Sequence, residues 1–200
     1  WPVVKQAARA AALERSGLGA AFKGVFHIGA AVSTQSLQQP IQPELDLIAS
    51  EFTSITPENA LKWSSIRNGD TWNWDIADRF VDFGSRNGMN VVGHTLVWHS
   101  QIPRTAFQDA QGQPLDRMAL LARMEQHIHT LAGRYKGRIH TWDVVNEAID
   151  EDKGWRKSPW FNQVGDDFME HAFRFAHQAD PQAKLLYNDY NTHNPGKTAF

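Results

Sequence analysis

The chain contains no cysteine among its 200 residues. That excludes disulfides and every metal site built on thiolates, although it does not decide the redox compartment. No apolar run is long enough to cross a bilayer, so no membrane partner is expected. Neither sign of charge dominates: 20 basic residues face 22 acidic ones, a formal net charge of −2. Nothing here attracts nucleic acid or an anionic surface. The sequence also lacks a linker, a low-complexity segment or a charge run that would mark a domain boundary. It opens at Trp1 rather than Met and shows no signal peptide, so export is an inference.

What is present is ordinary globular composition, 42% apolar, in a length sufficient for one substantial core. The exception is eight tryptophans. Six of them, Trp63, Trp72, Trp74, Trp98, Trp155 and Trp160, stand near polar residues. An indole face is a flat apolar platform that suits the C–H face of a pyranose, while its N–H still finds a partner. The plain alternative, that large aromatics fill a core, is the better reading for most of them taken singly.

Short β-branched runs alternate with longer segments of helical period. Strands are expected at Val25–Val32, Phe52–Pro57, Val91–Trp98, Ile139–Asn146 and Leu185–Asn188. Helices are expected at Val3–Ser16, Pro43–Ser50, Asp75–Asn87, Leu115–Tyr135 and Phe161–Gln178, the third stopped by Gly88. In the fourth, Met118, Leu121, Met124, Ile128 and Leu131 form an amphipathic stripe. Alternation of this kind predicts a parallel sheet with helical crossovers. A (β/α)8 barrel takes about 250 residues, and this chain supplies about five βα units. It reads either as a smaller open-sheet protein or as the first part of a barrel.

Four candidate strands end in polar groups, which is where an α/β scaffold places its chemistry. The most informative is Ile139-His140-Thr141-Trp142-Asp143-Val144-Val145-Asn146-Glu147-Ala148. A carboxyl group at Glu147 sits beside apolar neighbours that oppose ionisation, the environment of a general acid. Asp143 shares its strand face; it either tunes Glu147 or is a buried group satisfied by donors. Thr56-Pro57-Glu58-Asn59-Ala60-Leu61-Lys62-Trp63 offers a carboxylate, an amide and an ammonium, the acceptors and donors that vicinal hydroxyls require. The competing reading is a helix start with Glu58 in its first turn. In Val91–Gln101, alternation puts His94, Leu96 and Trp98 on one face. His94 and His99 point to opposite faces, and His127 and His129 lie two apart on a helix, so neither pair reads as a metal site. The last segment is Leu185-Leu186-Tyr187-Asn188-Asp189-Tyr190-Asn191, in which Asp189 reads as a loop anchor.

These four segments together resemble glycoside hydrolase family 10, the endo-β-1,4-xylanases, over nearly all residues from Phe22 to Phe200. The resemblance lapses in the N-terminal stretch and at the variable loop Gln35–Gln42. It implies a TIM (β/α)8 barrel of which residues 1–200 are the N-terminal portion of a single catalytic domain. It implies a retaining double displacement with Glu147 as general acid/base and Asn146 on the 2-hydroxyl of the sugar under attack. Glu58, Asn59 and Lys62 would bind hydroxyls on the non-reducing side, and His94, Trp98 and Gln101 would line the sites beside the cleaved bond. Tyr187 and Asn188 would border the leaving group. The nucleophilic Glu of the family lies in a Thr-Glu-Leu-Asp-like stretch, which nothing before Phe200 matches. The partners implied are xylan and xylo-oligosaccharides, with no cofactor and no metal, in a secreted monomer. The rival readings are a cellulase or cellobiosidase on the same scaffold, and a non-catalytic carbohydrate-binding barrel fragment.

Overall fold

The computed structural model describes residues 17–39, 42–151 and 154–198, so the helix expected at Val3–Ser16 lies outside the described residues. The chain divides into two compact units. The first comprises residues up to Ala60 together with Trp74–Val92, and the second Leu61–Asn73 with residues from Gly93 onward.

In the first unit, strand β1 (Gly29–Val32) pairs in parallel with β2 (Ser54–Pro57), Gly29 opposite Ser54 and Val32 opposite Pro57. The other edge of β2 pairs in parallel with the opening residues of β3 (Asn90–Val97). The connections are helical: α1 (Gln42–Glu51) follows β1, and α2 (Asp75–Arg86) precedes β3. Helix α2 buries Ile76, Ala77, Phe80, Val81 and Gly84, a single stripe of helical period. Gly84 is required there, because a Cβ would fall 2.5 Å from Val91 Cγ2 and 2.8 Å from Ile55 Cδ1. Strand β1 is shorter than the apolar run suggested. Val25 is 74% exposed and closes a turn onto the Phe22 carbonyl, so the run Val25–Ile28 is approach rather than strand. Part of the loop expected at Gln35–Gln42 is instead a short helix, Thr34–Gln38, capped by the Ser33 hydroxyl.

In the second unit the strand order is β3, β4 (Thr141–Asn146), β5 (Lys184–Asn188), with β4 and β5 parallel. All six residues of β4 are buried, as a central parallel strand with both faces covered must be. Gly93 allows the indole of Trp142 to lie against β3: a Cβ would sit 2.2 Å from its Cε3. Strand β4 begins at Thr141 rather than Ile139 because the amides of Arg138 and Ile139 are still bonded to the Tyr135 carbonyl at the preceding helix end. Helix α3 (Arg117–Arg134) is capped by Asp116, whose side chain accepts the Ala119 N–H. Its buried stripe runs Leu120, Leu121, Met124, His127, Ile128, Leu131; Met118, in the first turn, is 72% exposed and takes no part. The single helix expected at Phe161–Gln178 is two, α4 (Pro159–Val164) and α5 (Phe168–Ala179). Gly165 separates them at φ 116°, a conformation no continuing helix contains.

One core contact of this unit underpins the segment carrying Lys62. The imidazole of His127 is fully buried and stacks on Trp63 with centroids 3.8 Å apart, while Trp72 lies 5.5 Å away. Neither ring nitrogen of His127 has a hydrogen-bond partner. Burial, then the nearby Arg67 charge, holds its imidazole well below the usual histidine range. The folded state therefore binds fewer protons here than the unfolded state, and stability falls as pH drops below the unfolded value of about 6.5. A His127→Phe variant keeps the stack without the ionisation. Its unfolding free energy from urea titration should gain on the parent's as pH falls from 7.5 to 5, by at most about 1.4 kcal/mol per pH unit. Parallel pH curves for the two proteins would rule this role out.

Candidate active site

Strand β4 delivers Asn146 buried, and the next residue leaves the strand abruptly. Glu147 has φ 54°, the left-handed region that non-glycine residues seldom occupy. Two backbone bonds hold it there: its N–H donates to the Asn188 carbonyl at 2.9 Å, and its carbonyl accepts from Arg156 Nε at 2.8 Å. The half-buried side chain brings Oε2 to 3.0 Å from the indole Nε1 of Trp98, which follows the end of β3.

Around this carboxyl the second unit assembles most of the residues singled out in the sequence. His94 Nδ1 lies 2.9 Å from Asp143 Oδ2, and the Asp143 carbonyl accepts the Thr95 hydroxyl at 2.7 Å. Asp143 is thus a buried group whose partner is a site histidine. Lys62 is buried, with Nζ 4.6 Å from the Trp98 ring centroid. The Trp98 carbonyl is in turn bonded by Trp160 Nε1 at 2.9 Å. The side-chain amides of Asn146 and Asn188 meet at 2.8 Å, joining the ends of β4 and β5. Gln101 is exposed at φ 48°, and its carbonyl accepts the Ser64 N–H, tying its loop to the Lys62–Trp63 segment. Tyr187 uses its hydroxyl internally: it accepts from the amides of Ala148 and Ile149 and donates to Asp189. Glu58 and Asn59 belong to the first unit, on the turn after β2, where the Glu58 N–H donates to the Val32 carbonyl.

Some functional groups had no signal in the sequence. Arg156 fixes the Glu147 carbonyl from a two-stranded hairpin, Ile149–Asp150 with Gly154–Trp155, that the apolar pattern did not reveal. His99 stands beside Trp98 with its Nδ1 buried; burial, then the Arg156 charge, lowers its pKa and keeps the ring neutral at pH 7. Chemically, the arrangement offers a carboxyl group fit to exchange a proton. Around it stand an indole platform, an ammonium, an imidazole and two carboxamides, a set suited to a polyhydroxylated ligand.

Comparison with known proteins follows the same line. Residues 17–200 match the family described as Glycosyl hydrolase family 10. Endo-1,4-beta-xylanase A of Caldicellulosiruptor sp. (strain Rt8B.4) is 44% identical over 188 residues, covering 90% of this chain and 27% of that protein. Endo-1,4-beta-xylanase B of Paenibacillus barcinonensis is 43% identical, covering 92% of this chain and 55% of that protein. Among solved structures, a GH10 endoxylanase retrieved from sugarcane soil metagenome superposes with a TM-score of 0.90 at 51% identity, over 92% of this chain and 56% of that one. An intracellular xylanase of Thermoanaerobacterium saccharolyticum, solved as a glutamate-to-alanine variant with xylotriose, gives 0.85 at 38% identity, over 91% of this chain and 59% of that one. The chain therefore spans between about a quarter and three fifths of these relatives.

The contact of His94 with Asp143 makes a prediction of its own. A carboxylate only accepts, so Nδ1 must carry the imidazole proton, leaving Nε2 an acceptor when the ring is neutral. Long-range 15N–1H spectra of the imidazole should show the Nδ1–H tautomer. A neutral ring found in the Nε2–H form contradicts the geometry.

Proposed function

The chain belongs to glycosyl hydrolase family 10, and from that premise we propose that the whole protein is a retaining endo-β-1,4-xylanase whose acid/base is Glu147. The fold class is accordingly the TIM (β/α)8 barrel, of which this chain supplies about the first five βα units. The observation that carries the reading is the carboxyl of Glu147 at the end of β4, bonded to Trp98 and standing with His94, Lys62 and Asn146.

In the proposed reaction Glu147 first protonates the glycosidic oxygen as the bond to the leaving sugar breaks, and then removes a proton from the attacking water. The nucleophile is a second carboxylate about 5–5.5 Å from it, supplied by a part of the full protein other than these residues. Asn146 hydrogen-bonds the 2-hydroxyl of the sugar under attack, a contact that strengthens toward the transition state. Glu58, Asn59 and Lys62 take hydroxyls of the non-reducing side, His94, Trp98 and Gln101 line the sites beside the scissile bond, and Tyr187 and Asn188 border the leaving group. Two carboxyl groups suffice for this chemistry, so the reading includes no cofactor. The relatives' names favour xylan and its oligosaccharides over cellulose as the substrate. A polymer of that size argues for a secreted enzyme.

The test is Glu147→Ala in the full-length protein. Hydrolysis of xylan should fall by 10²-fold or more, the range general acid catalysis contributes. A 2,4-dinitrophenyl xylobioside, whose leaving group needs no proton, should still glycosylate the enzyme. Azide should then restore turnover and release a β-xylobiosyl azide. Unchanged xylan hydrolysis would remove Glu147 from the reaction.

A further inference from the structure

Behind Glu147 lies a chain of polar contacts that the reaction itself does not use. The two amides that follow Glu147, those of Ala148 and Ile149, donate to the Tyr187 hydroxyl at 3.0 and 3.2 Å. That hydroxyl donates to Asp189 Oδ2. The other carboxylate oxygen, Oδ1, accepts from Lys197 Nζ at 2.5 Å and from the Tyr190 N–H at 2.8 Å. The Asp189 and Lys197 side chains are only 2% and 3% exposed. Lys197 also donates to the Tyr190 carbonyl and stands 3.8 Å from the Tyr190 ring centroid.

A second fastening runs alongside. Gly196 presses on the Glu151 carbonyl so closely that a Cβ would fall 2.3 Å from the oxygen, and Asn191 Nδ2 donates to Glu151 Oε1 at 2.5 Å. The segment 187–197 is thus bolted to the loop that leaves Glu147.

The direction of each bond follows from charge. With Lys197 beside it, Asp189 stays ionised: burial opposes this, but the hydrogen bonds from Lys197 and Tyr187 hold its carboxyl below the usual range. A carboxylate has no proton to give, so Tyr187 must donate to it and turns its lone pairs to the two amides. Burial first, and then Asp189, raises the Tyr187 phenol, so that proton stays in place. Replace the ammonium by an apolar group and a buried carboxylate is left uncompensated; it then takes a proton or draws in water, and the hydroxyl loses its fixed orientation.

We propose that Lys197 and Asp189 are positioning residues for Glu147: their buried ion pair orients the Tyr187 hydroxyl, which clamps the peptide units that hold Glu147 in its left-handed turn toward Trp98. The proposal rests on the reading of Glu147 as acid/base. A loosened clamp lets the turn rotate, and displacement of a catalytic group by about 1 Å costs on the order of 10²-fold in rate.

The experiment uses the full-length enzyme with Lys197→Met and Asp189→Asn, the second leaving Tyr187 in place but removing the carboxylate its hydroxyl donates to, against a series of aryl xylobiosides from 2,4-dinitrophenyl to phenyl. Through this series kcat/KM reports glycosylation, and its dependence on leaving-group acidity reports how well the acid delivers its proton. Both variants should fall about tenfold or more on the phenyl glycoside while staying within about threefold of the parent on the dinitrophenyl one. A merely structural defect lowers both equally. Equal losses, or none, overturn the proposal; should Lys197→Met not fold, Asp189→Asn decides alone. Glu147→Ala on the same series separates the two ideas. A steep leaving-group dependence in that variant but not in the others sinks only the clamp, whereas its absence in Glu147→Ala sinks the assignment beneath it.

Discussion

The structure around the site depends on a single backbone event: the left-handed turn at Glu147 that ends a strand buried on both faces. A glutamate carries a Cβ, so this conformation is sterically disfavoured and persists only where neighbours over-determine it. Here they do. The N–H is taken by β5, the carbonyl by Arg156 and the next two amides by Tyr187. Strand β4 brings the chain out of the core in a fixed register with β5, which shifts between Asp143 and Val145 so that Asn146 stands opposite Asn188. A regular strand would send residue 147 along the pleat; the turn re-aims it at Trp98 instead.

Trp98 shows how the site and the core are made of the same contacts. Its carbonyl is anchored by the buried Trp160, its ring lies beside the Lys62 ammonium, and its N–H meets the carboxyl of Glu147. An indole with three separate partners has little freedom to tilt. The His94–Asp143 contact does the same on the neighbouring strand, where one carboxylate sets both the ring and its tautomer. These groups are positioned before any ligand arrives, which is what electrostatic assistance to a reaction requires.

Much of this was legible in the sequence, and the rest was not for physical reasons. Strand ends were readable because an apolar β-branched run stops where it meets polar groups, as at Val145-Asn146-Glu147. Helix α2 was readable from its period and its terminating glycine. Apolar runs misled where burial did not follow hydropathy: Val25 and Met118 look like core and are exposed. The break at Gly165 is hidden in the sequence because the apolar period continues on both sides of it, and only the dihedral angle divides α4 from α5. The clamp on Glu147 was beyond reach for a different reason. Arg156 and Asp189 are polar residues in loops and Lys197 lies in the four-residue helix Pro195–Thr198, and their meaning lies in which atoms they meet rather than in any local pattern. Asp189 did read correctly as an anchor of its loop.

On the proposed acid/base reading, the manner in which Glu147 is held bears on where its proton travels. A residue serving first as acid and then as base needs supports indifferent to its own charge, and hydrogen bonds to its backbone meet that need. The side-chain contact is different in kind. Indole nitrogen donates and never accepts, so Oε2, 3.0 Å from Trp98 Nε1, cannot point a proton along that line. In the protonated state the carbonyl oxygen is the better acceptor for that N–H, which favours the hydrogen on Oε1. When the carboxylate forms, the indole N–H is already in place to meet the charge on Oε2. In the proposed reaction one fixed donor thus favours Oε1 for the acid step and stabilises the anion that step leaves on Oε2.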